Sequence, residues 1–166
     1  MTRYSHNVVS YAPFYIHSFQ CLQTRFLADS EKFNITYSCP ALFTRTADKL
    51  RYYRYKKSLL QQDVADYLGI ERSTYNSYES EEWDYYPPKV LERIAELLEV
   101  NVTDLLDDYN AFIYYGQGWQ VKALRKQMKL TQAAFAAQFG VCKDTVLRWE
   151  KNERRMYKKT WEKVFL

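Results

Sequence analysis

Between Gly140 and Arg155 the sequence reads GVCKDTVLRWEKNERR, and five of its side chains could do chemistry on a polar surface. Lys143, Arg148 and Lys151 are cationic hydrogen-bond donors, Asp144 is an acceptor, and Leu147 offers an apolar contact. Projected at about 100° per residue, Asp144, Leu147, Arg148 and Lys151 fall on one side of a helix with Lys143 at its edge. Cys142, Val146 and Trp149 fall on the other side, which suits a core. The polar side could face water, another protein or the edge of a nucleic acid, and charge alone does not choose among them.

The elements that must position these residues occur twice. RYKKSLLQQDVADYLGIERSTYNSYE (54–79) lies without a gap over RKQMKLTQAAFAAQFGVCKDTVLRWE (125–150), an offset of 71 residues. Identities fall at Arg54/Arg125, Leu59/Leu130, Gln61/Gln132, Ala65/Ala136, Gly69/Gly140, Thr74/Thr145 and Glu79/Glu150. In the second unit Val121, Leu124 and Met128 form one apolar stripe, Phe135, Ala136 and Phe139 another, and Val146 with Trp149 a third, all at helical spacing. Three short helices are predicted in each unit. Gly69 and Gly140 stand where the second helix would end in a left-handed residue, a conformation glycine adopts at little cost. Thr131 is a suitable N-cap for the second helix of the later unit, whereas Leu60, its counterpart, has no side-chain acceptor. Ala65 and Ala136 are small where the second helix approaches the third.

LLQQDVADYLGIERSTYNSYE and LTQAAFAAQFGVCKDTVLRWE resemble the helix-turn-helix domains of the Cro and lambda repressor family, often called XRE-type regulators. PPKVLERIAELLEVNVTDLL is similar to that family's fourth and fifth helices. The resemblance implies an all-α fold with two tandem lambda-repressor-like domains, the first with about five helices and the second with about four, ending in YKKTWEKVFL. The chain would then divide into an irregular N-terminal extension (1–45), a first domain (46–115) and a second, basic domain (116–166). The second core would be the smaller, and docking onto the first would support it.

The resemblance also implies double-stranded DNA as a partner, with the third helix of the second unit in the major groove. There Arg148 could give two hydrogen bonds to guanine, Asp144 could accept from cytosine, Leu147 could touch a thymine methyl, and Lys143 and Lys151 could reach bases or phosphates. The equivalent face of the first unit presents Ser73, Asn76, Ser77 and Ser80 with Arg72 beside it, and Asn76 suits adenine. Glu71, Glu79, Glu81, Glu82 and Asp84 surround that helix with charge that repels phosphate. For the acidic first domain, DNA contact, homodimerisation and a protein partner therefore all stay open. Gln61 and Gln132 occupy the first turn of the second helices, where the family holds a DNA phosphate. Arg54/Glu79 and Arg125/Glu150 match an ion pair that, in the family, ties the first helix to the end of the third. On that reading Arg125 and Glu150 are structural despite their charge.

The net charge of +4 hides an asymmetry: residues 48–115 carry 8 basic and 14 acidic side chains, residues 116–166 carry 12 and 4. Three cysteines, at 21, 39 and 142, form no C-x-x-C pair and no disulfide framework, which fits a reducing, cytoplasmic setting. His6, His17, Cys21 and Cys39 match no zinc spacing, and a His17/Cys21 nucleophile has no orienting partner, so neither metal nor cofactor is expected. No run approaches the roughly 18 apolar residues of a membrane span, and Val8 to Ile16 could form a short strand or helix on docking. Tyr78 and Trp149 sit at core positions rather than as base-stacking platforms. Trp83, Tyr85 and Tyr86 in EEWDYYPPK either cover the core or contact a backbone. DDYNAFIYYGQGWQ predicts a short packed joint between the units. The expectation is a sequence-specific DNA-binding regulator, a repressor rather than an enzyme; the competing reading is a protein-interaction adaptor, antitoxin-like or dimerising, that keeps the fold.

Overall fold

The computed structural model describes residues 43–80 and 83–166, with Ala28 and Glu31 apart from them. The readings made for His6, Val8 to Ile16, His17, Cys21, Cys39, Glu81 and Glu82 lie outside the described residues. Regular structure among the described residues is helical, without strands, as the resemblance implies. Ala41–Leu166 is one compact unit. Its elements are α1 (Thr46–Lys56), α2 (Gln61–Leu68), α3 (Arg72–Tyr78), α4 (Pro88–Leu98), α5 (Val102–Leu105) and α6 (Asp108–Tyr114). They continue with α7 (Gln117–Gln127), α8 (Gln132–Phe139), α9 (Lys143–Glu150) and α10 (Lys158–Phe165).

Local chemistry accounts for most boundaries. In α4, Leu91, Ile94, Ala95 and Leu98 recur on one stripe and are all buried. Pro88 opens that helix, where its missing N–H has no intrahelical partner to lose. The Thr131 hydroxyl accepts the Ala134 N–H at 3.2 Å and caps α8. Leu60 supplies no such acceptor, yet α2 has its own support: the Asp63 carboxylate accepts the Leu60 N–H at 2.7 Å, one half of a capping box. Gly69 and Gly140 end α2 and α8 at φ +71° and +70°. The turns then close alike, by Ile70 N–H to the Ala65 carbonyl (3.0 Å) and Val141 N–H to the Ala136 carbonyl (2.9 Å).

A second pair of left-handed residues also sits at the repeat spacing. Ser58 and Lys129 end α1 and α7 at φ 55° and 56° without a glycine at either place. The following N–H groups, of Leu59 and Leu130, each reach the carbonyl of Arg54 or Arg125 at 3.1 Å. The hydrogen bonds that close these turns offset the strain of a left-handed non-glycine residue.

Two apolar clusters form the interior. One gathers Leu50, Val64, Tyr75, Leu91, Ile94 and Leu98 from α1 to α4, with Leu105 and Leu106 beneath α5. The other gathers Val121, Phe135, Val146, Trp149, Met156 and Trp161 from α7 to α10. The joint between the segments is a helix. Tyr109 and Phe112 on α6 are buried in the second cluster, while Ala111 and Tyr114 pack against the first. In the first segment α5 covers α1 and α4. In the second, α6 packs on α7 and sets Phe112 4.9 Å from Phe165 and Tyr109 5.7 Å from Trp161 of α10, the counterparts of those two helices. A preceding helix thus does for the second segment what a following one does for the first.

The aromatic loop after α3 also resolves into separate roles. Tyr86 is buried, and its hydroxyl donates to the Tyr78 carbonyl at 2.7 Å. Trp83 lies half-exposed against the Tyr78 ring. Tyr85 packs toward the second cluster, with the Arg155 guanidinium 3.5 Å above its ring.

Candidate nucleic-acid interface

A buried ion-pair network fixes the end of each third helix. Arg125 Nε donates to Glu150 Oε1 at 2.6 Å and Nη2 to Oε2 at 3.2 Å, while Nη1 reaches the Leu130 carbonyl at 3.0 Å. In the first segment Arg54 makes the same three bonds, at 2.5 and 2.8 Å to Glu79 and 2.9 Å to the Leu59 carbonyl. Gln132 joins one carboxylate at 2.8 Å and Gln61 the other at 2.9 Å. The planar, two-pronged match of guanidinium to carboxylate locks angle as well as distance, so α7 dictates where α9 ends. Burial pushes the Glu150 pKa up, but hydrogen bonds from Arg125 and Gln132 and the charges of Arg125 and Lys122 outweigh it, and the carboxyl titrates below the ordinary range.

A second clamp acts on α9. Gly118, in the first turn of α7, lies so close to the end of α9 that an added Cβ would stand 2.5 Å from the Glu150 carbonyl oxygen. Its N–H donates to Asn152 Oδ1 at 2.8 Å. The buried Gln117 amide donates to the carbonyls of Trp149 and Arg154 and accepts the Met156 N–H at 2.8 Å. Tyr109 adds a 2.7 Å bond to the Met156 carbonyl; burial pushes its pKa up to about 12, so the hydroxyl keeps its proton at neutral pH. Sequence reading placed Tyr109, Gln117 and Gly118 in the joint DDYNAFIYYGQGWQ without a part in holding α9, and passed over Asn152. A glycine inside an otherwise helical run was the available signal, since it usually marks a close packing contact.

With its back and its end held, α9 presents its remaining face outward. Val146 and Trp149 are buried, whereas Lys143, Asp144, Arg148 and Lys151 are exposed and Leu147 is half-buried. The side chains of Lys143, Asp144 and Arg148 make no hydrogen bond or ion pair among the described residues, and Lys151 makes only a 3.9 Å contact with Glu153. Cys142 departs from the helical projection. It is exposed at the N-cap, with extended backbone, no capping bond and a free thiol, because the chain has not yet entered the helix at that residue. Gln132 uses one amide proton on Glu150, which leaves the other available at the first turn of α8.

The corresponding face of the first segment is chemically occupied. Arg72, Ser73 and Asn76 are exposed and Ser77 is half-buried. Gln61, however, gives both amide protons away, one to Glu79 and one to Asn76 Oδ1 at 3.1 Å. Ser77 Oγ bonds back to the Ser73 carbonyl at 3.1 Å. The acidic surround expected for α3 needs correction. Glu79 is buried and neutralised by Arg54, and Asp84 faces Lys158 at 3.0 Å, so within the described part of that set only Glu71 stands exposed and without an ion-pair partner.

No helix among the described residues is long and apolar enough to cross a membrane. No curated protein and no solved structure matches the chain. Residues 49–110, which run from within α1 to within α6 and include the α2–Gly69–α3 turn, match the model of the Cro/C1-type HTH DNA-binding domain.

Proposed function

We propose that the protein is a sequence-specific DNA-binding transcriptional regulator, acting in the cytoplasm as a repressor, and that residues 116–166 are a second helix-turn-helix domain that reads duplex DNA through α9. The observation that carries this reading is the contrast on α9 itself. Its apolar side and its last turn are locked by Val146, Trp149, Glu150 and the Gln117 amide, while Lys143, Asp144 and Arg148 stand in solvent without a partner. A fixed helix with free charged tips suits base readout, since little ordering remains to be done on binding. Arg148 selects guanine, Asp144 cytosine and Leu147 a thymine methyl; Lys143, Lys151 and the remaining Gln132 amide proton hold the backbone.

For the first segment a protein-contacting or homodimerising role is the second reading, favoured by the internal use of Gln61, Asn76 and Ser77. Selection of bound duplexes from a random pool at fixed salt tests both readings. The first segment reading bases would lengthen the recovered motif, and a homodimer would return an inverted repeat. On the selected site Arg148→Ala should lose about 1–3 kcal/mol and relax one base position, and Lys143→Ala should weaken all sequences and flatten the salt dependence by about one unit. Binding indifferent to both substitutions overturns the assignment of α9.

A further inference from the structure

The chain that leaves α9 is strongly cationic, with Lys151, Arg154, Arg155, Lys158 and Lys159 within nine residues. Two of these cations are held by the first segment. Lys158 Nζ lies 3.0 Å from Asp84 Oδ1, and the Arg155 guanidinium rests on the Tyr85 ring. The loop that presents Asp84 and Tyr85 is itself pinned. Asn110, buried on α6, donates to the Asp84 carbonyl at 3.1 Å and accepts the Tyr86 N–H at 3.1 Å. The backbone of Asp84 is thus fixed within reach of Lys158.

A carboxylate beside a lysine competes with phosphate for that lysine. We propose that Asp84 is an affinity-setting residue: it withholds Lys158 from the DNA backbone and so lowers affinity for DNA of any sequence while leaving base readout by α9 intact. This rests on the reading that residues 116–166 bind duplex DNA. Sequence-independent affinity comes almost wholly from cations meeting phosphates, each adding close to one unit to the salt dependence. Withholding one cation therefore weakens specific and non-specific binding alike and makes both less dependent on salt. The two side chains are 55% and 28% exposed, so the pair is weak enough for its removal to leave the fold in place.

The test is a titration of the full chain on a random-sequence duplex and on a selected site, across a salt series, for wild type, Asp84→Asn, Lys158→Gln and the double variant. Asp84→Asn should bind the random duplex roughly two- to fivefold more tightly, the worth of one exposed ion pair, with a salt dependence steeper by about one unit. The selected site should tighten by the same factor, so the preference for it should stay that of wild type. Lys158→Gln should resemble wild type, and the double variant should lose the gain. An unchanged or weaker Asp84→Asn, in a protein whose wild type binds, overturns the proposal alone; an Asp84 that serves only the N-terminus of α10 gives that result. A wild type that binds neither duplex overturns the underlying DNA reading as well.

Discussion

Glu79 and Glu150 do one job at two depths. The Arg54–Glu79 pair is 3% and 2% exposed, the Arg125–Glu150 pair 13% and 7%. Removing one partner of a buried pair strands the other charge, at a cost of about 3–5 kcal/mol. Urea denaturation should place Glu79→Ala toward the upper end and Glu150→Ala below it; equal losses would mean that depth does not govern the cost. Because Glu150 titrates below its ordinary value of 4.5, the folded chain binds fewer protons there than the unfolded chain in acid. Its contribution is complete above the unfolded pKa and is lost as pH falls through the folded one. Stability of Glu150→Gln should therefore trail wild type at neutral pH, and the gap should narrow as the solution is acidified. A constant gap would exclude the ionised carboxylate as the source. The Arg/Glu pairs were legible in the sequence because identical residues recur 25 apart in both units, at positions that the family resemblance pairs; the competing role of Gln61 and Gln132 in the same network was not, since a glutamine at a helix start fits several partners.

At the scale of the element, α9 is placed by α7. Replacing a glycine inside a helix with alanine ordinarily gains close to 1 kcal/mol. At Gly118 the new methyl would meet the Glu150 carbonyl at 2.5 Å, and the Glu150 side chain and the Asn152 amide beside it are both tied to α7. Gly118→Ala should instead lose about 1–3 kcal/mol in chemical denaturation, the range for an overpacked interior. A stabilised variant would show that the end of α9 can move aside. The glycine turns were readable from residue type and position. The left-handed Ser58 and Lys129 were not, because lysine and serine carry no local preference for that conformation.

Across the whole molecule α6 decides the unit of folding. Tyr109 and Phe112 precede residue 116 in the chain, yet they fill the second core beneath Trp161 and Phe165. A fragment of residues 116–166 lacks both rings and should unfold without a cooperative transition, whereas Ala41–Leu166 should unfold cooperatively. Phe112→Ala in the full chain should cost about 3–5 kcal/mol by thermal or urea melt. Cooperative unfolding of the short fragment would show that α6 is dispensable to that core. The same helix carries Asn110, which fixes the loop holding Asp84, so the geometry of the second segment depends on chain from the first.

By itself the sequence determined what depends on neighbours along the chain and on repetition: the helical periods, the glycine turns, the Arg/Glu pairs and the division of α9 into an apolar and a polar side. The periods, the turns and the two sides of α9 follow from backbone sterics and from side-chain spacing within a few turns, whereas the Arg/Glu pairs follow from repetition and from the family resemblance. Only the tertiary structure decided which surroundings each side chain meets. It buried Glu79, brought Asp84 to Lys158, assigned α6 to both cores and set Gln117 and Gly118 against the end of α9. These are contacts between residues far apart in the chain, and their energies come from burial and hydrogen-bond geometry that exist only once the helices have packed.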